Sequence, residues 1–469
     1  MYDFCDFVPC ADVSPSENMH KMKIYADAEK GAARHTAAIS FEKERTVLQK
    51  FVINGGRRPD GEIILQGAKN SVLPLMAASV LCGGKIYLGN CPCITDRYSS
   101  MRILNCLGCK AIGKGGFTEI DSSEIHNTVI PDELMREMRS SVIFMGALLG
   151  RAGKCTLSFP GGCDLGPRPI DIHLDSLRRM GADIVEEHGR IECSAPCGLK
   201  GTGITLPFPS VGATENIILA AVLASGETVI KNAAREPEIN DLADFINANG
   251  GDISGAGSGT IVIRGRKKLV PSDDIYNVMP DRIVCATYLS YAAAVPGGEL
   301  MIRRCCPAHI DGITAVFEQM GCSIRSFGDS IYLRAPRRLK GAGTIRTMVY
   351  PGFPTDAQAF VMTDTCLAQG MTLFVENIFE NRYRHVGYLR LMGADIRTEG
   401  KAAAVMGVDR LYGAKLSAPD LRGGAALVGA ALAAEGESEI DNVELIDRGY
   451  EAPEEILSAV GADIRRVVL

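Results

Sequence analysis

The chain has no uninterrupted apolar run of bilayer length, which argues against a membrane-spanning helix. Its first residues, MYDFCDFVPCADV, carry acids where a secretion signal would carry bases, so export is not expected and the cytoplasm is. There is no run of lysines and arginines with interleaved aromatics. With a formal charge of −6, that excludes a general nucleic-acid binder. The seven histidines form no His-x-x-x-His pair, and Cys106 and Cys109 have no second cysteine pair at zinc-ligand distance, so no metal site is expected. Sixteen cysteines scattered through apolar segments of a 469-residue chain fit a reducing compartment better than a disulfide scaffold.

What the chain does have is periodicity. The pattern apolar-Gly-small-x-Ile recurs at Met180–Ile184, Asn249–Ile253, Met320–Ile324, Met392–Ile396 and Val460–Ile464, with a looser copy at Leu107–Cys109. Its glycines, at 108, 181, 250, 321, 393 and 461, lie 73, 69, 71, 72 and 68 residues apart. A second series, Gly84, Gly153, Gly226, Gly298, Gly370 and Gly436, precedes strand-like segments with matching spacing. Each unit reads as an alanine-rich helix, a glycine stop, a strand, a loop, a second helix and a glycine-led hairpin. Six such units suit an α/β protein of two domains with three units each. The expected division is residues 70–277 for one domain, and 48–69 with 278–469 for the other, because the stretch from Lys50 to Gly67 precedes the first complete unit and can add a strand to the C-terminal domain. Residues 1–47 stand outside the period and are expected to be a disordered extension.

Charged residues collect where the alanine-rich helices begin: Lys69 and Asn70, Arg136 and Arg139, Asp281 and Arg282, Asp356, and Asp420 and Arg422, with Ser210 and Gly212 at the third. Helix N-termini expose unpaired N–H groups and suit phosphates and carboxylates. Further bases follow strands: Arg168, Arg235, Arg382, Arg384 and Arg448. A single surface arginine is usually a solvated charge; recurrence at equivalent places in several units weakens that reading. In PGGCDLGPRPID, glycines near Cys163 give a loop backbone freedom, and a thiol near an arginine can be tuned as acid or nucleophile. The GAGSG at 255–259 falls within a hairpin and is read as a turn, not a dinucleotide loop.

Taken in order, GAKNSVLPL, MRSSV, PGGCDLGPRPID, PSVGATEN, NAAREPEI, PDRI, FPTDAQA, FENRYRH, PDLRGGAALV and IDRGYE resemble the UDP-N-acetylglucosamine 1-carboxyvinyltransferases from Lys50 to Leu469. The resemblance implies an inside-out α/β barrel of two similar domains, each of three βαβαββ-like repeats, that closes over its substrates. It implies phosphoenolpyruvate contacts at Lys69, Asn70, Arg168 and Arg448. It places UDP-N-acetylglucosamine at Arg139, Arg168, Pro169, Ile170, Asp171, Ile172, Ser210, Val211, Gly212, Asp356 and Ile378. Cys163 corresponds to the proton donor and point of attack of fosfomycin, and Asp356 to the carboxylate beside the sugar 3-hydroxyl. Lys69 and Arg448 join these two as catalytic residues, with Arg382, Asp420 and Arg422 in support. No cofactor, metal, nucleic acid or membrane is implied, and the chain is expected to act as a monomer. Pro419 stands where the family commonly has threonine. The sister 5-enolpyruvylshikimate-3-phosphate synthases share the fold and donor, but their Gly-Asn-Ala-Gly-Thr stretch is absent and Cys163 is unexpected among them.

Overall fold

The structure, a computed structural model, describes residues 48–159 and 170–468. The expected extension 1–47 lies outside the described residues. Six helices begin the six units: α1 (Lys69–Cys82), α2 (Phe144–Ala152), α3 (Val211–Ala221), α4 (Arg282–Ala294), α5 (Thr355–Thr365) and α6 (Leu421–Ala433). They are apolar around their circumference, which a helix tolerates only when surrounded by protein. Asn70 is the one residue of α1 that is not buried, and α4 is buried throughout. α1, α2 and α3 pack on one another, as do α4, α5 and α6. Gly146 permits the α2–α3 approach, because a Cβ there would lie 2.3 Å from the Asn216 carbonyl oxygen.

The sheets lie outside these helices. Each begins from the strand that follows an inner helix: Lys85–Gly89, Lys154–Ser158, Glu227–Lys231, Glu299–Arg303, Met371–Val375 and Glu437–Asp441. These strands alternate buried and accessible residues, as a sheet with one face on a core requires. Every glycine of the first series has a positive φ, from 85° at Gly250 to 102° at Gly108. It follows the outer helix and turns the chain into the hairpin, a conformation costly for any residue with a Cβ.

Two features depart from six self-contained units. The strand leading into α1, Asp60–Ile64, pairs in parallel with Glu299–Arg303 of the fourth unit. The strand leading into α4, Ile275–Asn277, pairs in parallel with Lys85–Gly89 of the first. The chain therefore crosses twice between the two sets of three helices. The sixth sheet lacks one hairpin strand of its own, and Gln49–Asn54 supplies it, antiparallel to both Glu437–Asp441 and Asp463–Val468. The buried apolar residues form two clusters, one from Val72 to Val278 and one joining Phe51–Leu65 to the stretch from Ile283 to Ile464.

Candidate active site

The residues at the starts of α1, α4, α5 and α6 meet where the two clusters adjoin. The Asp281 carboxylate accepts from the backbone N–H of Lys69 at 3.0 Å through one oxygen, and from Ile283 and Val284 at 2.9 and 3.0 Å through the other. One side chain thus caps α4 and ties it to the first turn of α1. Burial pushes the Asp281 carboxyl above its ordinary range, against the pull of Arg422 and of the N–H groups it accepts from.

The Lys69 ammonium lies 2.7 Å from Asp96, and Arg448 reaches the same carboxylate at 2.9 and 3.3 Å. Lys69 opens α1, of the first set of three inner helices, and Arg448 lies in the loop after Val443–Leu445, which follows α6 of the second set. The Asp96 side chain is 2% exposed. Burial alone would raise its pKa, but Lys69 and Arg448 outweigh burial and hold it below the usual carboxylate range.

Asp356 opens α5. It accepts from Arg382 at 2.8 Å and lies 3.7 Å from the Arg422 guanidinium. Both arginines are buried and the carboxylate is partly accessible. Arg382 also donates to the Thr355 carbonyl, and Arg422 to the Tyr450 hydroxyl at 3.1 Å. Asp420 is the N-cap of α6, accepting from the Arg422 and Gly423 N–H groups, each at 3.0 Å. It thereby caps the helix that carries Arg422.

Of the proposed sugar-nucleotide residues, Ser210 to Gly212 and Asp171 and Ile172 lie on two packed helices, α3 and the outer helix Asp171–Arg179. Ser210 caps α3 through the Ala213 N–H at 3.3 Å. Gly212 lies against the outer helix Asp171–Arg179, where a Cβ would come 3.1 Å from a ring carbon of His173. Val211 and Gly212 are thereby brought beside Asp171 and Ile172, with Asp171 exposed and Ile170 buried. Ile378 is half-buried, and its N–H donates to Glu376 at 2.8 Å. Asn70 is half-buried, and Arg235 and Arg384 are exposed. Cys163, Arg168 and Pro169 lie outside the described residues, as does the side chain of Arg139.

Sequence reasoning passed over Asp96, the residue on which Lys69 and Arg448 converge. A signal was present: outer helices open with an acid at Asp96, Asp171, Glu238, Asp311 and Glu454, as the helix dipole favours. The recurrence makes each acid look like helix chemistry, and Asp96 differs only in what faces it. Glu238, which holds Arg282 at 3.0 Å across the two clusters, was hidden in the same way.

Six units with helices inside, sheets outside and cations gathered at helix N-termini define the class of 1-carboxyvinyl, or enolpyruvyl, transferases. The family model described as EPSP synthase (3-phosphoshikimate 1-carboxyvinyltransferase) matches residues 53–457. The chain is 47% identical over 421 residues to UDP-N-acetylglucosamine 1-carboxyvinyltransferase 2 of Caldanaerobacter subterraneus subsp. tengcongensis, covering 90% of this chain and 100% of the relative. It is 46% identical to UDP-N-acetylglucosamine 1-carboxyvinyltransferase 1 of Symbiobacterium thermophilum, covering 89% and 95%. Among solved structures, the enolpyruvyl transferase NikO from Streptomyces tendae is similar with a TM-score of 0.81 at 24% identity, over 90% of this chain and 100% of that one. EPSP synthase from Acinetobacter baumannii is similar with a TM-score of 0.68 at 19% identity, over the same shares. These two likenesses speak for the fold alone. The chain belongs to the UDP-N-acetylglucosamine 1-carboxyvinyltransferase family.

Proposed function

We propose that the chain transfers the enolpyruvyl group of phosphoenolpyruvate to the 3-hydroxyl of UDP-N-acetylglucosamine and releases phosphate, the first committed step of peptidoglycan synthesis. One observation carries the reading: Lys69, at the start of α1, and Arg448, in the loop after Val443–Leu445, lie 2.7 and 2.9 Å from one buried carboxylate, within a charged network that also holds Asp356. A donor bearing phosphate and carboxylate on three carbons needs several fixed cations in a water-poor place. Lys69, Asn70, Arg168 and Arg448 form that cradle.

Cys163 delivers a proton to the methylene carbon while the sugar hydroxyl adds to the neighbouring carbon, and Asp356 takes the hydroxyl proton. The tetrahedral ketal then loses phosphate while the Cys163 thiolate takes a proton back from the methyl group, restoring the thiol and the carbon–carbon double bond in the product. Arg382 and Arg422 both reach the Asp356 carboxylate and hold it in place. The sugar nucleotide lies along Arg139, Arg168 to Ile172, Ser210 to Gly212 and Ile378. The two hydrophobic clusters are the cores of two domains, 70–277 and 48–69 with 278–469, that close on the substrates and exclude water. The enzyme works in the cytoplasm as a monomer, without cofactor or metal. No helix among the described residues is long and apolar enough to cross a membrane.

The test is phosphate release by the purified full chain with both substrates, with the product identified by mass. Release that requires UDP-N-acetylglucosamine and yields its enolpyruvyl ether supports the reading. Release only with shikimate 3-phosphate would transfer the chain to the sister activity.

A further inference from the structure

The cradle proposed for phosphoenolpyruvate contains an anion of the protein's own. Asp96 sits in the first turn of the outer helix Thr95–Leu107, and none of the hydrogen bonds to its side chain serves to cap that helix. Its carboxylate instead faces Lys69 on one side and Arg448 on the other. The loop that brings Arg448 is anchored on both flanks of this contact. The Thr95 N–H donates to the Asp447 carbonyl at 3.1 Å, and the Cys93 N–H donates to the Glu451 carboxylate at 3.1 Å. Gln66 adds a bond from its amide to the Gly449 carbonyl and accepts from the Glu451 N–H. The Thr95–Asp447 backbone bond and the Cys93–Glu451 bond link the two segments without Asp96, so the carboxylate is not the loop's sole attachment.

We propose that Asp96 is a positioning residue for the transfer reaction: it holds Lys69 and Arg448, drawn from the two halves of the molecule, at one anion site and keeps the Lys69 ammonium charged. The groups facing Lys69 explain why this is needed. Arg448 and Arg422 both carry positive charge toward it from the C-terminal half, and burial removes water from it. Asp281, at the start of α4, meets only its backbone N–H. Burial and the two arginines hold Lys69 below the ordinary lysine value, and Asp96 is the opposing influence. Without that carboxylate, a buried lysine beside two guanidiniums gives up its proton more readily, and a neutral amine binds phosphate poorly.

The inference rests on the reading of this site as the phosphoenolpyruvate site, and its test separates the two. Asp96→Asn preserves shape and removes charge. The Lys69 titration is followed by NMR of isotopically labelled lysine side chains, with Lys69→Arg assigning the signal, and it needs no substrate. In Asp96→Asn the midpoint is expected to fall by about one pH unit or more. If phosphate release is then measured against pH, the alkaline limb of kcat/KM for phosphoenolpyruvate moves down by a similar amount, while the KM for the sugar nucleotide changes little. Asp96→Glu restores part of both. An unmoved Lys69 midpoint overturns the proposal, as does tighter phosphoenolpyruvate binding in Asp96→Asn, which would make Asp96 a competitor for the cations. A shifted midpoint in a chain that releases no phosphate even as wild type would keep the charge coupling and remove the assigned reaction.

Discussion

Asp356 shows how far a single residue could be read in advance. Its position before an apolar helix suggested an acid at a helix start, and family resemblance suggested a base. The structure adds two buried guanidiniums, Arg382 at 2.8 Å and Arg422 at 3.7 Å. Asp356→Asn keeps a hydrogen-bond acceptor for Arg382 but cannot take up a proton. Turnover is expected to fall by about 10²- to 10⁴-fold, with calorimetric affinity for UDP-N-acetylglucosamine changed much less. Loss confined to affinity would make Asp356 a binding group only. Close by, His385 is fully buried, and burial pushes its imidazole down to about 4; the Asp420 carboxylate opposes that shift and the Arg382 guanidinium adds to it. The folded state keeps the ring neutral while the unfolded chain protonates near pH 6.5, so stability is complete above that value and declines as pH falls toward 4. The loss over this window is about 3 kcal/mol from this group. His385→Gln has no proton to take, and urea unfolding at several pH values should show a shallower decline between pH 6.5 and 4 than wild type.

At the scale of elements, the two glycine series made the fold legible in the sequence. Every glycine of the first series, and Gly153, Gly226, Gly370 and Gly436 of the second, is left-handed; such a position excludes most residues, so it leaves glycines at fixed intervals in the sequence. The exchanged strands left no such mark, because Asp60–Ile64 and Ile275–Asn277 are short segments whose partners are chosen by the packing of distant helices. Pairing between distant segments is a property of the assembled cores, not of local pattern. The site divides in the same way. Lys69, Arg448 and Asp356 stand in motifs, whereas Asp96 gains its meaning only from a loop 352 residues away. The glycines themselves offer a graded test. At Gly181, with φ 95°, a Cβ would meet nothing within 4 Å, so Gly181→Ala is expected to cost only the backbone term, about 1–2 kcal/mol. At Gly108, with φ 102°, the Cβ would come 2.5 Å from His126, and Gly108→Ala should cost more. Equal unfolding midpoints for the two variants would show that the His126 ring moves aside freely.

Across the whole molecule, the two halves are joined by charge as well as by two crossing strands. Arg282, at the start of α4, is buried against Glu238 of the outer helix Pro237–Ala248, with donor–acceptor distances of 3.0 and 3.2 Å. Its guanidinium also lies 5.4 Å from the ring centre of Tyr350. Glu215, in α3, has its carboxyl pushed well above the usual range, first by burial and then by Glu238 and Glu236, so the region already holds more acid than base. A buried ion pair contributes little over a well-packed apolar pair, but breaking one side leaves an uncompensated charge in a dry place. Glu238→Gln is therefore expected to destabilise the chain by about 3 kcal/mol, softened by whatever Glu236 can offer the arginine. Arg282→Met combined with Glu238→Gln removes both charges and should cost less than the sum of the two single changes, by at least about 1 kcal/mol. Urea unfolding of the four proteins measures that difference. Additive costs would mean that the pair does not couple the halves, and that the crossing strands, the Asp281 cap and the contacts of Asp96 and its neighbours with the Arg448 loop join them without it.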